Sequence, residues 1–469
     1  VLGSRDLVSD AAPDITEQDS AAAATEPLRP AAPAGRKLAG VAAVEVVGFG
    51  VSQLLRLGSN LVLARLLFPE AFGLMAMLSL VLYGVIMLTD VGLSQAVIRS
   101  EHGEDPIFLD TAWSIQVTRG LILWVIASAV AWPASLIFRE PALLWMIPAG
   151  TASAAIQGFG STRILTLRRH LRPAPVVALE LSTQLAGILI MIALAAGGLG
   201  VWSLVVGNLV MAAAHTGFSY VLPGTHRERF RIDPGARKEI IHFGRWIYAS
   251  SAVTFLAGRG DQVVLGRLLG AASLGLFNVG LNLAEAPEAL ANRVIGSILY
   301  PYYARLHNES PADFPAAYYR TRLAFDGVVH TALGGLMALS PWLIRVLYDQ
   351  RYLGAIPMLQ ILALRTSVSL VASPCETALT AQGHSIYGFR RNLFVAISTL
   401  VLMPAGYALD GATGLLLATA VARATALAAI WPAAWERGIL RLRRELLVPA
   451  FLALGFGVGS ALIRILPGR

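Results

Sequence analysis

Thirteen stretches of this chain are apolar over the roughly 20 residues that an α-helix needs to cross a hydrocarbon core about 30 Å thick. They run near 38–66, 73–98, 110–138, 142–167, 174–197 and 199–222, and after a polar break near 240–269, 274–304, 324–348, 354–382, 386–409 and 411–435, with one more at 446–465. No soluble core can hide so much apolar surface: 56% of the 469 residues are hydrophobic and only 14% are charged. Inside a bilayer no water satisfies the backbone, so spans of this length must bond internally as helices. The expected class is an all-α polytopic membrane protein.

A net charge of +8 would suit nucleic acid, but the basic residues gather in short segments between the apolar runs, as they do in cytoplasmic loops. Nearly all are arginine, with Lys37 and Lys238 the only lysines. Starting from a cytoplasmic N-terminus, the inner loops carry Arg168, Arg169 and Arg172, then Arg227, Arg229, Arg231, Arg237 and Lys238, then Arg305, Arg320 and Arg322, then Arg390 and Arg391, and last Arg437, Arg441, Arg443 and Arg444. The alternate loops hold little beyond Arg139 and Arg351, so the positive-inside rule supports the register, with the mildly acidic inner loop from Arg99 to Asp110 as the exception. Residues 1–37, rich in Ala, Pro and acids, have no basic n-region or apolar h-region; they are read as a disordered cytoplasmic tail rather than a signal peptide. Cys375 is the single cysteine, which excludes an intramolecular disulfide and a cysteine metal cluster.

An internal repeat organises the spans. Leu63–Leu74, LARLLFPEAFGL, aligns with Leu265–Leu276, LGRLLGAASLGL, at a shift of 202 residues that puts Arg65 on Arg267 and Gly73 on Gly275. Six helices separate the copies, and an even number preserves orientation, so the expected architecture is two parallel six-helix bundles plus one further C-terminal helix. The corresponding division is a tail at 1–37, a first lobe at 38–222, a basic cytoplasmic linker at 223–239, a second lobe at 240–435, and a basic loop with the thirteenth helix at 436–469.

With the repeat in hand, the chain resembles the oligosaccharide flippases of the multidrug/oligosaccharidyl-lipid/polysaccharide exporter superfamily, in the polysaccharide biosynthesis or lipopolysaccharide exporter branch. The resembling segments are Leu63–Gly73, Thr89–Ile98 (TDVGLSQAVI), Gly198–Val205 (GLGVWSLV), Leu265–Leu276 and Ile295–Pro301 (IGSILYP). The resemblance implies a V-shaped exporter fold working by alternating access in a bacterial inner membrane. It implies as substrate an oligosaccharide linked to a polyprenyl diphosphate, expected to be undecaprenyl diphosphate, destined for surface polysaccharide or exopolysaccharide. Polymerase and export proteins are implied as partners, beside membrane lipids. No cofactor and no metal is expected.

Ionisable groups within a span are costly, so they should face a cavity or a partner. In the first helix Gln53, Arg56 and Asn60 recur at helical spacing and form one polar face. Arg259 and Gln262 do the same in the matching helix of the second lobe. A guanidinium binds phosphate oxygens through paired, charge-assisted hydrogen bonds. Arg56 and Arg259 are therefore expected to hold the diphosphate across the pseudo-axis, the alternative being that each neutralises a buried carboxylate such as Asp261. Arg119 and Arg365 are deep secondary candidates, whereas Arg163 and Arg245 lie near inner helix ends, where a long side chain can snorkel; Arg293 and Arg423 are further basic candidates.

Coupling needs a carboxylate whose charge changes as the cavity opens and dries. Asp90, in TDVGLSQAVI, is the first candidate, for a gate ion pair or a proton or sodium site. Glu285 and Glu288 flank Pro287, which removes a backbone hydrogen bond; the alternative is a plain kink with Glu288 paired to Arg293. Asp326 with His330, and Glu376, are weaker candidates, while Glu45 and Glu180 should meet loop arginines.

Two other functions compete. A polysaccharide polymerase or ligase is an enzyme with a large outer loop, but every outer loop here is short and no P-loop, HExxH, DxD or GxSxG signature is apparent, so no enzyme is expected. A cation-coupled multidrug antiporter should have an acidic cavity, whereas the deep charges here are mostly arginine.

Overall fold

The computed structural model describes residues 32–89, 93–100, 102–238 and 248–465, among which every regular element is helical. The first half holds α1 (Ala32–Leu66), α2 (Pro69–Thr89), α3 (Leu93–Arg99), α4 (Pro106–Phe138), α5 (Leu143–Gly158), α6 (Arg163–Arg169), α7 (Ala174–Ala196) and α8 (Trp202–Ser219). The second holds α9 (Tyr248–Val294), a π-helical turn (Ile295–Leu299), α10 (Tyr300–Glu309), α11 (Phe314–Leu347), α12 (Ala355–Ala381), α13 (Ile386–Glu436), α14 (Leu442–Glu445) and α15 (Leu447–Ile465). Residues 1–31 of the expected tail lie outside the described residues, and α1 already begins inside the segment expected to be tail.

Among the described residues nine helices are long and apolar enough to cross a membrane, which makes this a multi-pass membrane protein. Two of the helices contain a reversal. α9 has 47 residues and α13 has 51, about 70 Å or more at 1.5 Å per residue and over twice the hydrocarbon thickness. Gly270 breaks α9 with φ 77° and Gly411 breaks α13 with φ 52°, left-handed values that glycine adopts without steric cost. The chain then folds back, so that a Cβ on Gly406 would lie 2.5 Å from the carbonyl oxygen of Gly414 and 3.0 Å from the Ala418 side chain. The expected spans on either side of these glycines are thus arms of single hairpins. Conversely, the expected span 142–167 is interrupted after Gly158. There Gln116 Nε2 donates to the carbonyls of Gly158 and Gly160 at 3.0 Å each, satisfying acceptors that the end of α5 leaves open.

The two halves meet at the repeated segments themselves. The shift of 202 maps Pro69 onto Ala271 and Gly73 onto Gly275. A Cβ on Gly73 would lie 1.7 Å from the carbonyl oxygen of Ala271, and one on Gly275 would lie 1.8 Å from that of Pro69. Each copy therefore presses its glycine against the backbone of the other, a reciprocal contact that only residues without a side chain permit. The loop after α11 adds to this end. Arg351 donates to the Arg65 carbonyl at 2.9 Å and lies over the Phe68 ring, while Tyr352 donates to the Leu67 carbonyl at 3.0 Å. Those carbonyls are the negative pole of α1, which suits a guanidinium. Farther along the helices Tyr83 of α2 meets Phe255 of α9, and Arg293 lies over Phe49 of α1.

The segment expected as a basic linker at 223–239 is docked along α4 over its described part. The backbone N–H groups of Arg229, Arg231 and Asp233 donate to Asp110, Ser114 and Thr111 at 2.9, 2.9 and 3.1 Å. Its arginine side chains stay exposed.

Helix α15 packs on α11 along a glycine seam. A Cβ on Gly334 would sit 2.1 Å from the Leu452 carbonyl, and one on Gly455 2.0 Å from that of Thr331. At the base of the seam Arg322, expected in a loop, is instead helical and only 1% exposed. Its guanidinium bonds Asp326 at 3.1 Å, Glu445 at 2.5 Å and the Val371 carbonyl at 2.9 Å. The loop reading failed because α11 starts at Phe314, ten residues before the apolar run that marked it, with partners waiting for the charge.

Gly73→Val and Gly275→Val are each expected to lower stability by roughly 1–3 kcal/mol or more, since backbone cannot yield to the added side chain. An unchanged thermal midpoint of the detergent-solubilised variants would refute the crossing. Glu445→Ala should cost about 3 kcal/mol in the same assay by leaving a buried guanidinium short of a partner.

Candidate functional site

Within the first lobe, α1, α2, α5, α7 and α8 enclose a cavity of about 520 Å³. Helical spacing sets its lining: Arg56, Asn60 and Leu63 form one stripe of α1, and Asn208, Met211 and His215 one stripe of α8. A neighbouring cavity of about 410 Å³, lined by Gln116 and Arg119 of α4, shares Gln157 and His215 with the first. Close helix packing builds the walls, as a Cβ on Gly187 of α7 would lie 2.7 Å from Met211 Cβ.

Charges on this lining divide into used and unused. Glu180 is paired with Arg168 at 2.8 Å, the loop partner expected for it. Gln184 accepts from the Ser52 hydroxyl at 2.7 Å and donates to the Ser52 carbonyl at 3.1 Å, which ties α7 to α1. Arg56 has no carboxylate partner among the described residues. Gln53 lies on α1 outside this lining.

In the second lobe Arg365 and Arg259 are paired internally, whereas Arg423, a further basic candidate, has no carboxylate partner among the described residues. Arg365 Nη2 lies 2.7 Å from Asp261 Oδ2, both side chains being 7% exposed or less. Gln262, beside Asp261, is buried with its Nε2 unpartnered among the described residues. Arg259 Nη1 lies 3.2 Å from Glu285 Oε1 in a half-exposed pair that bridges the two arms of α9, with the Tyr83 ring of the first lobe 6.0 Å from the guanidinium. The structure thus brings Arg56 and Asn60 together in one cavity lined by the first lobe alone, and gives Arg259 and Arg365 carboxylate partners. Glu288 is half-buried, and Arg293 stacks on Phe49 rather than reaching it. Arg391 pairs with Glu376. His330 Nε2 lies 3.7 Å from Asp326, and its Nδ1 is 2.8 Å from the Ser367 hydroxyl. Arg163 turns to the end of α8, donating to the Leu222 and His226 carbonyls at 2.9 and 3.1 Å. Asp90 and Arg245 lie outside the described residues.

Sequence reasoning missed Gln157, Asn208 and His215, because it searched for charge and these are neutral or weakly basic. For Asn208 and His215 the signal was the polar stripe on α8. It also missed the Arg322–Glu445 pair, which joins residues too distant in sequence for periodicity to connect.

If the Asp261–Arg365 pair is structural, Asp261→Asn alone should lower the yield of folded protein, since it strands a buried cation. Adding Arg365→Gln should restore it. A double variant as poorly folded as the single one would refute the pairing.

Residues 62–357 match the family described as polysaccharide biosynthesis protein. The lipopolysaccharide biosynthesis protein WzxC of Escherichia coli (strain K12) is 24% identical over 397 residues, covering 83% of this chain and 78% of that protein. The succinoglycan biosynthesis transport protein ExoT of Rhizobium meliloti (strain 1021) is 23% identical over 319 residues, 67% of this chain and 63% of its own length. Among solved structures, the lipid II flippase MurJ in an inward closed conformation superposes with a TM-score of 0.65 at 13% identity, covering 90% of this chain and 98% of its own. An inward-facing multidrug resistance MATE transporter of the MOP superfamily gives 0.63 at 15% identity, covering 85% and 95%. The chain therefore belongs to the polysaccharide biosynthesis protein family, on the exporter fold that MurJ and the MATE transporters share.

Proposed function

We propose that this protein is a flippase that carries a polyprenyl-diphosphate-linked oligosaccharide across the bacterial inner membrane by alternating access, for surface polysaccharide or exopolysaccharide synthesis. The N-terminus faces the cytoplasm, so the end joined by Gly73 and Gly275 is the outer one. The observation that carries this reading is Arg56, a cation lining a membrane-embedded cavity with no carboxylate partner among the described residues. A diphosphate supplies the missing anion. The names of WzxC, ExoT and MurJ, which describe polysaccharide synthesis, transport and a lipid flippase, support the same class.

The antiporter alternative fits the cavity less well. Its lining has one carboxylate, Glu180, and that group is paired with Arg168, so a cationic drug would meet no free anion there. In the proposed cycle an ion gradient drives transport through Asp90 or Glu285, and polysaccharide polymerase and export proteins receive the product. The Arg259–Glu285 pair lies beside Tyr83 of the first lobe, so an ion bound at Glu285 would act at the lobe interface.

Depleting the protein should make a lipid-linked oligosaccharide accumulate on the cytoplasmic face, and a normal distribution would refute the flippase reading. In reconstituted vesicles Arg56→Lys keeps the charge but loses the fork, while Arg56→Ala loses both. Transport should fall in that order, with the Ala variant down roughly ten- to a hundredfold, the worth of a charge-assisted hydrogen bond. Wild-type transport by Arg56→Ala would remove Arg56 from the site.

A further inference from the structure

The cavity of the first lobe holds more polar capacity than its own packing consumes. Asn60, Gln157 and Asn208 each carry two donors and an acceptor, and among the described residues none of these side chains has a protein hydrogen-bond partner. Asn60 and Asn208 are partly buried among apolar helices, where an amide without a partner is costly, so amides with no structural task there call for another explanation. Other amides in the same lobe do have such tasks, since Gln184 is fixed on Ser52 and Gln116 on the carbonyls at the end of α5. The three free amides stand beside Arg56 and against apolar Phe72 and Met75.

That combination matches one chemistry. Sugar hydroxyls are neutral and act as donor and acceptor at once, as amides do, and the C–H faces of a sugar ring suit an apolar wall. A volume of about 520 Å³ lies within the roughly 300–1,000 Å³ of small-molecule sites. The second cavity, which shares Gln157 and His215 with the first, lies next to it. The cavity described in the other lobe, about 290 Å³ beside Asn292, Glu376 and Arg391, is smaller, and its cation is paired with Glu376. The shift of 202 puts Asn60 on Gln262, which is 4% exposed, and the adjoining cations there are held by Asp261 and Glu285.

We propose that the first lobe alone binds the glycan of the substrate, inside the amide-lined cavity of Asn60, Gln157 and Asn208, with Arg56 meeting the attached diphosphate. The proposal rests on the flippase reading and adds where the sugar sits. The second lobe then contributes the moving wall rather than the recognition.

The test is binding to the full-length protein in lipid nanodiscs, measured with two probes: the lipid-linked glycan fraction extracted from the cells that make the protein, and undecaprenyl diphosphate carrying no sugar. The wild type should bind the glycan-bearing lipid more tightly. Asn208→Leu should weaken that binding by roughly tenfold, the upper worth of a neutral hydrogen bond, and leave the bare lipid unaffected. Arg56→Ala should weaken both. If Asn208→Leu does not fold, Gln157→Leu, whose side chain is exposed, decides the matter in the same way. Three results would overturn the proposal while sparing the flippase reading: equal binding of both lipids by the wild type, an undiminished preference for glycan in the folded variants, or an equal loss of both lipids in Asn208→Leu. Failure of the wild type to bind either lipid would instead bring down the flippase reading, and the proposal with it.

Discussion

A charge placed among membrane helices must find an opposite charge or a wet cavity, because the hydrocarbon offers neither water nor counterion. Much of this molecule follows from how its arginines meet that demand. Arg322 is surrounded by Asp326, Glu445 and a carbonyl, and in satisfying it the chain fixes the start of α14–α15 against α11. Arg365 and Asp261 join α12 to α9, and Arg391 and Glu376 join α13 to α12. These pairs add specificity more than net stability, since desolvation offsets most of their attraction. Arg56 is the contrast. It opens onto a cavity with no carboxylate partner among the described residues.

Small residues complement the charges. Between apolar helices in lipid there is little hydrophobic gain, so close backbone contact supplies the attraction. The protein uses it at the crossing of Gly73 and Gly275, and again along Gly334 and Gly455. The first contact joins two halves of one repeat and inherits their symmetry. The second attaches a helix that has no counterpart in the first half.

The large features were legible because they obey local rules. Spans follow from apolar length, the turn points of α9 and α13 fall at glycines, and the repeat LARLLFPEAFGL/LGRLLGAASLGL marked the two segments whose glycines make the reciprocal contact. What periodicity does not encode is which residues meet across helices. Nothing local tells Arg322 from a loop arginine, because its partner Glu445 lies in another helix. Likewise a helical wheel recognises the polar face of Arg56 and Asn60 but not that α8 brings Asn208 opposite, nor that Glu285 occupies Arg259. Neutral amides are the least legible of all, since a single Asn in a span reads as an ordinary packing residue.

The asymmetry between the lobes bears on how such a machine can move. The end joined by Gly73 and Gly275 is also held by Arg351 on the Arg65 carbonyl and Tyr352 on the Leu67 carbonyl. One charge-assisted and one neutral hydrogen bond together contribute roughly 2–4.5 kcal/mol. Turning a two-state equilibrium from 1:99 to 99:1 takes about 5.5 kcal/mol of differential affinity. The latch is therefore on the scale that a bound substrate can overcome, whereas the buried pairs within the second lobe are not exposed to it. A ligand held by one lobe and touched by the other in only one state supplies that difference directly. The crossing is symmetric in its backbone contacts, whereas the polar lining differs between the two halves.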